Sequence, residues 1–164
     1  CTPAQIDHIE TQVARAVEQG GRILAGGRRV DVMDGLFFQP TIIECPDPSM
    51  EIVDTELFGP VLAVLRFSDE DDVIAQANRS VHGLAAGLFT RDSARSMRVA
   101  RRLRAGIVWV NTYRVISPIA EFGGSKQSGY GRESGMQAVY DYTRPKTVWM
   151  NLCDDPVTNP FEPR

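Results

Sequence analysis

Cysteine is scarce and scattered: Cys1, Cys45 and Cys153 are the only three among 164 residues, and none falls in a CxxC or Cys/His pattern. That excludes a disulfide framework and a structural zinc site, and it suits a reducing, cytoplasmic compartment. Histidine is scarcer still, and neither His8 nor His82 has a second histidine or a carboxylate at ligand spacing, so no metal is expected. No apolar run approaches the roughly 20 residues of a bilayer span, so no membrane partner is expected. The chain opens on a helix signal, not on a charged segment followed by an apolar one, and a secretory leader is not expected in it. Positive charge is not in excess either. The net charge of -3 and pI near 5.4 leave no basic field to attract nucleic acid. The local exception is Arg95, Arg98, Arg101, Arg102 and Arg104, which have no interleaved aromatics for base stacking and read as a solvated helix face.

The remaining composition, 43% hydrophobic and 24% charged, can bury one sizeable core. Thr2-Pro3-Ala4-Gln5 reads as an N-cap, a proline at the first helical position and a capping-box partner. Ile6, Ile9, Val13 and Val17 then share one helix face and Asp7, Glu10 and Gln12 the other, and Gly20-Gly21 is the stop. A short strand at 23–25 and the Asp34-Gly35 turn follow. The apolar run Phe37 to Cys45 is an edge or broken strand, because Pro40 removes a ladder donor. Val61 to Phe67 reads as a buried strand. Ser68 caps a helix with Val73, Ile74 and Ala77 inward, and Leu84 to Thr90 is apolar. Asp92 caps a helix with Ala94, Met97, Ala100 and Leu103 inward, and Ile107 to Val110 is again a strand. Such alternation predicts an α/β fold, a largely parallel sheet covered by helices. Residues 111–135 are glycine-rich and aperiodic, a length at which loops are usually functional. A short helix around Met136 to Tyr140 and a last strand, Lys146 to Leu152, precede a proline-rich tail.

Two segments are candidates for chemistry. In Glu56-Leu57-Phe58-Gly59-Pro60, just before a strand, Glu56 is either a solvated loop acid or a ligand projecting with Phe58 into a cleft. A carboxylate there accepts hydrogen bonds from both hydroxyls of a ribose, each worth about 1.5–3 kcal/mol. The run Phe122-Gly123-Gly124-Ser125-Lys126-Gln127-Ser128-Gly129-Tyr130-Gly131-Arg132-Glu133 has the glycine density of a phosphate loop. Its spacing matches neither GxxxxGK[ST] nor GxGxxG, so it reads as a structural loop whose glycines allow close packing, forming one wall of a pocket.

These two segments, together with His82-Gly83-Leu84-Ala85-Ala86-Gly87-Leu88-Phe89-Thr90, Gly106-Ile107-Val108-Trp109-Val110-Asn111 and Tyr142 to Val148, occur in one order across nearly the whole chain. In that order they resemble the C-terminal portion of the NAD(P)-dependent aldehyde dehydrogenases. The resemblance implies oxidation of an aldehyde to a carboxylic acid through a thiohemiacetal and thioester on a cysteine, with water activated by a glutamate. It places that cysteine, the glutamate and the main dinucleotide-binding region upstream of the matched segment, so the chain alone is expected to be inactive. Carried over by position, Glu56 holds the nicotinamide ribose hydroxyls of NAD or NADP and Phe58 packs beside that ribose. Arg114, Val115, Ile116 and Phe122 belong to the substrate entrance, and Lys146 to Leu152 is a strand through which subunits form a homo-oligomer. Residues 1–142 are then the C-terminal part of the catalytic domain and residues 143–164 the oligomerisation strand and tail. Two positions depart from the pattern: Glu121 replaces a proline before Phe122-Gly123-Gly124, and Arg114 at the entrance would suit an aldehyde that also bears an anion. Cys1 lacks the nucleophile's surroundings, Cys45 reads as a buried hydrophobe and Cys153 as a tail thiol. The alternative to an enzyme portion is a non-catalytic module that pairs with itself or with a longer relative.

Overall fold

The computed structural model describes residues 2–30, 35–152 and 161, so the readings for Cys1, Asp34 and Cys153 fall outside it. Helix α1 (Pro3–Glu18) begins on an extended Thr2 whose hydroxyl accepts from the Gln5 backbone N–H. The capping box is only half made, because the Gln5 side chain donates to the Leu57 carbonyl instead of returning to Thr2. Ile6, Ile9, Val13 and Ala16 are buried, as is Gln12, which was expected outside. Its amide donates to Glu51 at 2.7 Å, a partner no helical period predicts, whereas Val17 stays exposed.

Strand β1 (Arg22–Ala25) runs antiparallel to β4 (Thr41–Glu44), and β4 runs parallel to β5 (Val61–Val64) with Thr41 opposite Val61. Strands β2 (Arg29–Val30) and β3 (Phe37–Phe38) form a separate antiparallel pair. Pro40 breaks the 37–45 run between β3 and β4 as expected, and β4 becomes the middle strand of its sheet. Of 61–67 only four residues pair. Leu62 is exposed, since β5 has a strand partner on one side only among the described residues.

Helix α3 (Glu70–Arg79) follows the four-residue α2 (Glu51–Asp54), and β6 (Ala85–Leu88), α4 (Ser93–Arg102) and the parallel partner β7 (Ile107–Val110) complete the alternation. The α/β class holds, but the expected parallel sheet appears as two separate parallel pairs, with an antiparallel strand and a hairpin added. Asp69, not Ser68, caps α3 by accepting from Asp72 N, and Ser68 N–H donates to Asp72 Oδ2 at 2.9 Å. Asp92 caps α4 as expected. The inward residue of α4 is Val99, and Met97 is exposed. The reason is charge: Arg98 forks onto Glu70 at 2.7 and 2.8 Å and Arg102 meets Asp71 at 2.6 Å, so the basic side of α4 turns to the acidic start of α3. These pairs hold the Glu70 carboxyl below its usual range, the Arg98 hydrogen bond contributing most.

The core joins Ile9, Val13 and Ala16 of α1 to Phe38, Ile43, Cys45, Met50, Ile52 and Leu57. Cys45 is buried and unpaired, and burial pushes its thiol pKa up. Helix α5 (Gly135–Asp141) is the last element among the described residues. Lys146 to Leu152 forms no strand, and Trp149 is 93% exposed there. Strand hydrogen bonds need an edge to pair with, and no strand among the described residues pairs with that segment.

Thr41 offers a test of the β4 anchorage. It is 2% exposed, and its hydroxyl accepts from Gly27 N–H at 2.8 Å and donates to the Gln39 carbonyl at 2.7 Å. Thr41→Val keeps the shape and strands both groups, so denaturant unfolding is expected to show a loss of about 1–3 kcal/mol. A loss within experimental error would show that these bonds do not hold the 26–41 connection.

Candidate functional site

The loop between α2 and β5 is fastened from below. Leu57 is buried in the core, its carbonyl receives the Gln5 amide, and Pro60 accepts from Thr41 N–H at 2.8 Å. Gly59 is pressed so closely to α1 that a Cβ there would come 2.4 Å from Ile9 Cδ1. With Leu57 turned inward, Glu56 and Phe58 are left outward. Phe58 is 79% exposed and its φ is 48°, a left-handed conformation that costs a bulky residue about 1–3 kcal/mol and tends to occur at ligand sites. An ionised carboxylate carries only acceptors, so Glu56 suits a vicinal diol, and the Phe58 ring supplies an apolar face beside it. The pair therefore fits the sugar of a dinucleotide.

Glu56 also faces the glycine-rich segment. A cavity of about 350 Å³ is bordered by Glu56, His82, Gly83 and Ser128. Ser125 N–H donates to the Gly83 carbonyl at 2.9 Å, Gly83 N–H to Ser128 Oγ at 3.1 Å, and Gln127 N–H to the Val81 carbonyl at 3.0 Å. Lys126 Nζ reaches the Asn78 and Ser80 carbonyls at the end of α3, at 3.0 and 2.8 Å. Gly106 is indispensable to this closeness, since a Cβ would fall 1.8 Å from the Gly123 carbonyl oxygen. Further on, Phe122 and Glu133 exchange backbone bonds at 2.7 Å, and Arg132 collects the carbonyls of Gly124, Tyr130 and Gly131. Carbonyls gathered around a cation are the opposite of a phosphate cradle, so the glycines serve backbone packing, as their spacing indicated. Glu121 occupies the position of the family's proline. Gly135, at φ 63°, packs on it and donates to the Pro118 carbonyl at 3.1 Å.

The stretch expected at a substrate entrance leaves β7 through Asn111, whose φ is 54° and whose amide bonds both backbone groups of Thr90 at 2.8 Å. Trp109 Nε1 donates to the Val115 carbonyl at 2.9 Å, and the Tyr113 ring meets Trp109 edge-on at 5.2 Å. Arg114, again left-handed at φ 60°, is exposed and has no ion-pair partner among the described residues. Val115 and Ile116 are exposed on the same loop, and Phe122 is half-buried in the segment beyond. No hydrogen bond or ion pair joins this loop to residues 55–60 among the described residues. The loop of residues 111–116 and Glu56 are thus held separately.

Sequence reasoning found no carboxylate for His82, yet its Nε2 stands 3.9 Å from Glu56 Oε2. The two are far apart in the chain, and only the return of the chain from α3 into β6 brings them together. The signal was the histidine's place directly before the Gly83-Leu84-Ala85 block, next to the segment that Glu56 faces.

A profile of the aldehyde dehydrogenase family matches residues 1–148. The chain is 47% identical over 162 residues to the (Z)-2-((N-methylformamido)methylene)-5-hydroxybutyrolactone dehydrogenase of Acinetobacter baylyi, covering 98% of this chain and 33% of that protein. It is 42% identical over 160 residues to a betaine aldehyde dehydrogenase of Cereibacter sphaeroides, covering 98% and 32%. Its fold superimposes with a TM-score of 0.89 and 38% identity on a double mutant of betaine aldehyde dehydrogenase from Staphylococcus aureus in complex with NAD+, covering 98% and 33%. The chain spans about a third of the length of the relatives it matches. Read with the glycine packing and the exposed Glu56–Phe58 pair, these matches establish that the chain belongs to the aldehyde dehydrogenase family.

Proposed function

We propose that this chain is the C-terminal portion of an NAD(P)-dependent aldehyde dehydrogenase that oxidises an aldehyde to a carboxylic acid. The observation that carries the reading is the loop in which buried Leu57 leaves Glu56 and Phe58 facing outward on a pinned backbone. When bound, the dinucleotide supplies a hydride acceptor. Glu56 accepts the nicotinamide ribose hydroxyls and Phe58 packs beside the sugar, which together orient the nicotinamide. The cysteine that carries the thiohemiacetal and thioester, and the glutamate that activates water, belong to the part of the relatives' length this chain does not span. Cys45, buried with its thiol pKa raised, is unsuited to that task. Residues 1–142 form part of the catalytic domain and residues 143–164 the association segment and tail.

In the full-length enzyme, Glu56→Gln removes one charge-assisted bond to the ribose, so KM for NAD+ or NADP+ is expected to rise about tenfold or more. Unchanged cofactor kinetics would remove the ribose assignment.

Arg114, with Val115, Ile116 and Phe122, lines the substrate entrance and favours an aldehyde that also carries an anion. Its guanidinium, without an ion-pair partner among the described residues, on a strained, tethered loop supports this. Arg114→Gln should lower kcat/KM for a carboxylate-bearing aldehyde about tenfold relative to a neutral one of similar size. Equal losses on both substrates would point to a loop defect instead.

The segment Lys146 to Leu152 pairs with a second copy of the enzyme. Val148, Trp149, Met150 and Leu152 are all strongly exposed, a density of apolar side chains that solvent disfavours. Deleting residues 146–164 from the full-length protein is expected to shift size-exclusion and light-scattering masses to a smaller assembly. An unchanged mass would place the interface elsewhere.

A further inference from the structure

Glu56 borders two cavities. One, of about 210 Å³, also holds Phe58 and Gly59; the other, of about 350 Å³, holds His82, Gly83 and Ser128. The 3.9 Å between His82 Nε2 and Glu56 Oε2 lies outside hydrogen-bond range and inside ion-pair range, with the two side chains 37% and 56% exposed. The histidine is tethered at that spot. Its backbone bridges to Lys126 and its N–H donates to Ser80 Oγ at 3.2 Å. The carboxylate, on a loop residue with no other side-chain partner among the described residues, has room to choose a side.

We propose that His82 is a positioning residue for Glu56: once protonated, the imidazolium draws the carboxylate into its own cavity, away from Phe58, and weakens cofactor binding as the pH falls. This rests on the reading of Glu56 as the ribose ligand. The sign follows from charge. A neutral imidazole exerts no net pull on a carboxylate, whereas an imidazolium competes for the same oxygens that the ribose hydroxyls would use. Three other charged groups face the pair. From α2, Asp54 is engaged by Arg79 of α3 at 3.2 Å. From the connection after α4, Arg104 borders the cavity as a permanent cation. From the glycine-rich segment, Lys126 Nζ is spent on two backbone carbonyls.

The test is calorimetric binding of NAD+ to the full-length enzyme between about pH 5.5 and about pH 8, a range spanning the ordinary imidazole pKa of about 6.5. A partly exposed pair of this kind is expected to weaken the wild-type Kd by about two- to fivefold at the acid end. In His82→Gln the Kd should stay tight and level across the range. In Glu56→Gln it should be weak and level, because the group on which His82 acts is gone. A wild-type Kd without the acid loss, or a loss that persists in either variant, overturns the proposal. Tight NAD+ binding by Glu56→Gln near pH 8 sinks the ribose reading instead, and so separates the two failures. If His82→Gln does not fold, the slope in Glu56→Gln decides alone.

Discussion

The ribose reading of Glu56 and the inference drawn for His82 both depend on how the loop of residues 55–60 is pinned to helix α1 and strand β4. The Gln5 amide on the Leu57 carbonyl, the Gly59 backbone against Ile9 and the Pro60 carbonyl on β4 leave this loop almost no freedom. A carboxylate on a loose loop would spend most of its binding energy on being ordered. On a pinned loop with a left-handed phenylalanine beside it, the backbone's ordering cost is met on folding, and the carboxylate is presented at the border of two cavities.

The second wall of the same cleft is built on a different principle. Between α3 and α5 the chain relies on backbone meeting backbone, with Gly83, Gly106 and Gly123 allowing approaches that a methyl group would block. Lys126 and Arg132 then satisfy carbonyls that the irregular path leaves without ladder partners. This explains why a loop so rich in glycine is firmly placed, and why it resembles a phosphate loop in composition only. It also explains the position of His82, which is carried to Glu56 by the strand that the segment clasps.

The apolar side chains left in solvent complete the picture. Phe58, Leu62, Phe67 and Phe89 are exposed around the sheet margins, as are Val148, Trp149, Met150 and Leu152 beyond α5. A monomeric surface rarely leaves so much apolar area uncovered. A chain spanning about a third of its relatives would leave such faces bare where the remainder of the enzyme and a neighbouring copy are proposed to pack.

Local rules were legible in the residues themselves. Thr2 and Asp92 as caps, Pro40 as a break, Gly20-Gly21 as a stop, Cys45 as a buried thiol and the glycine segment as a packing device all follow from one residue's steric or hydrogen-bonding demands. The projection expected of Glu56 and Phe58 appears as two exposed side chains flanking the buried Leu57. The rest was settled by partners distant in the chain. Gln12 went inward to meet Glu51, and α4 rotated Val99 to the core so that its arginines reach the acids of α3. Strands β5 and β6 stayed unpaired with each other, and Lys146 to Leu152 paired with no strand among the described residues. Periodicity reports which face of an element is apolar. Which charged or polar group stands opposite it, and whether a strand has a neighbour, depends on long-range contacts that only the folded chain creates.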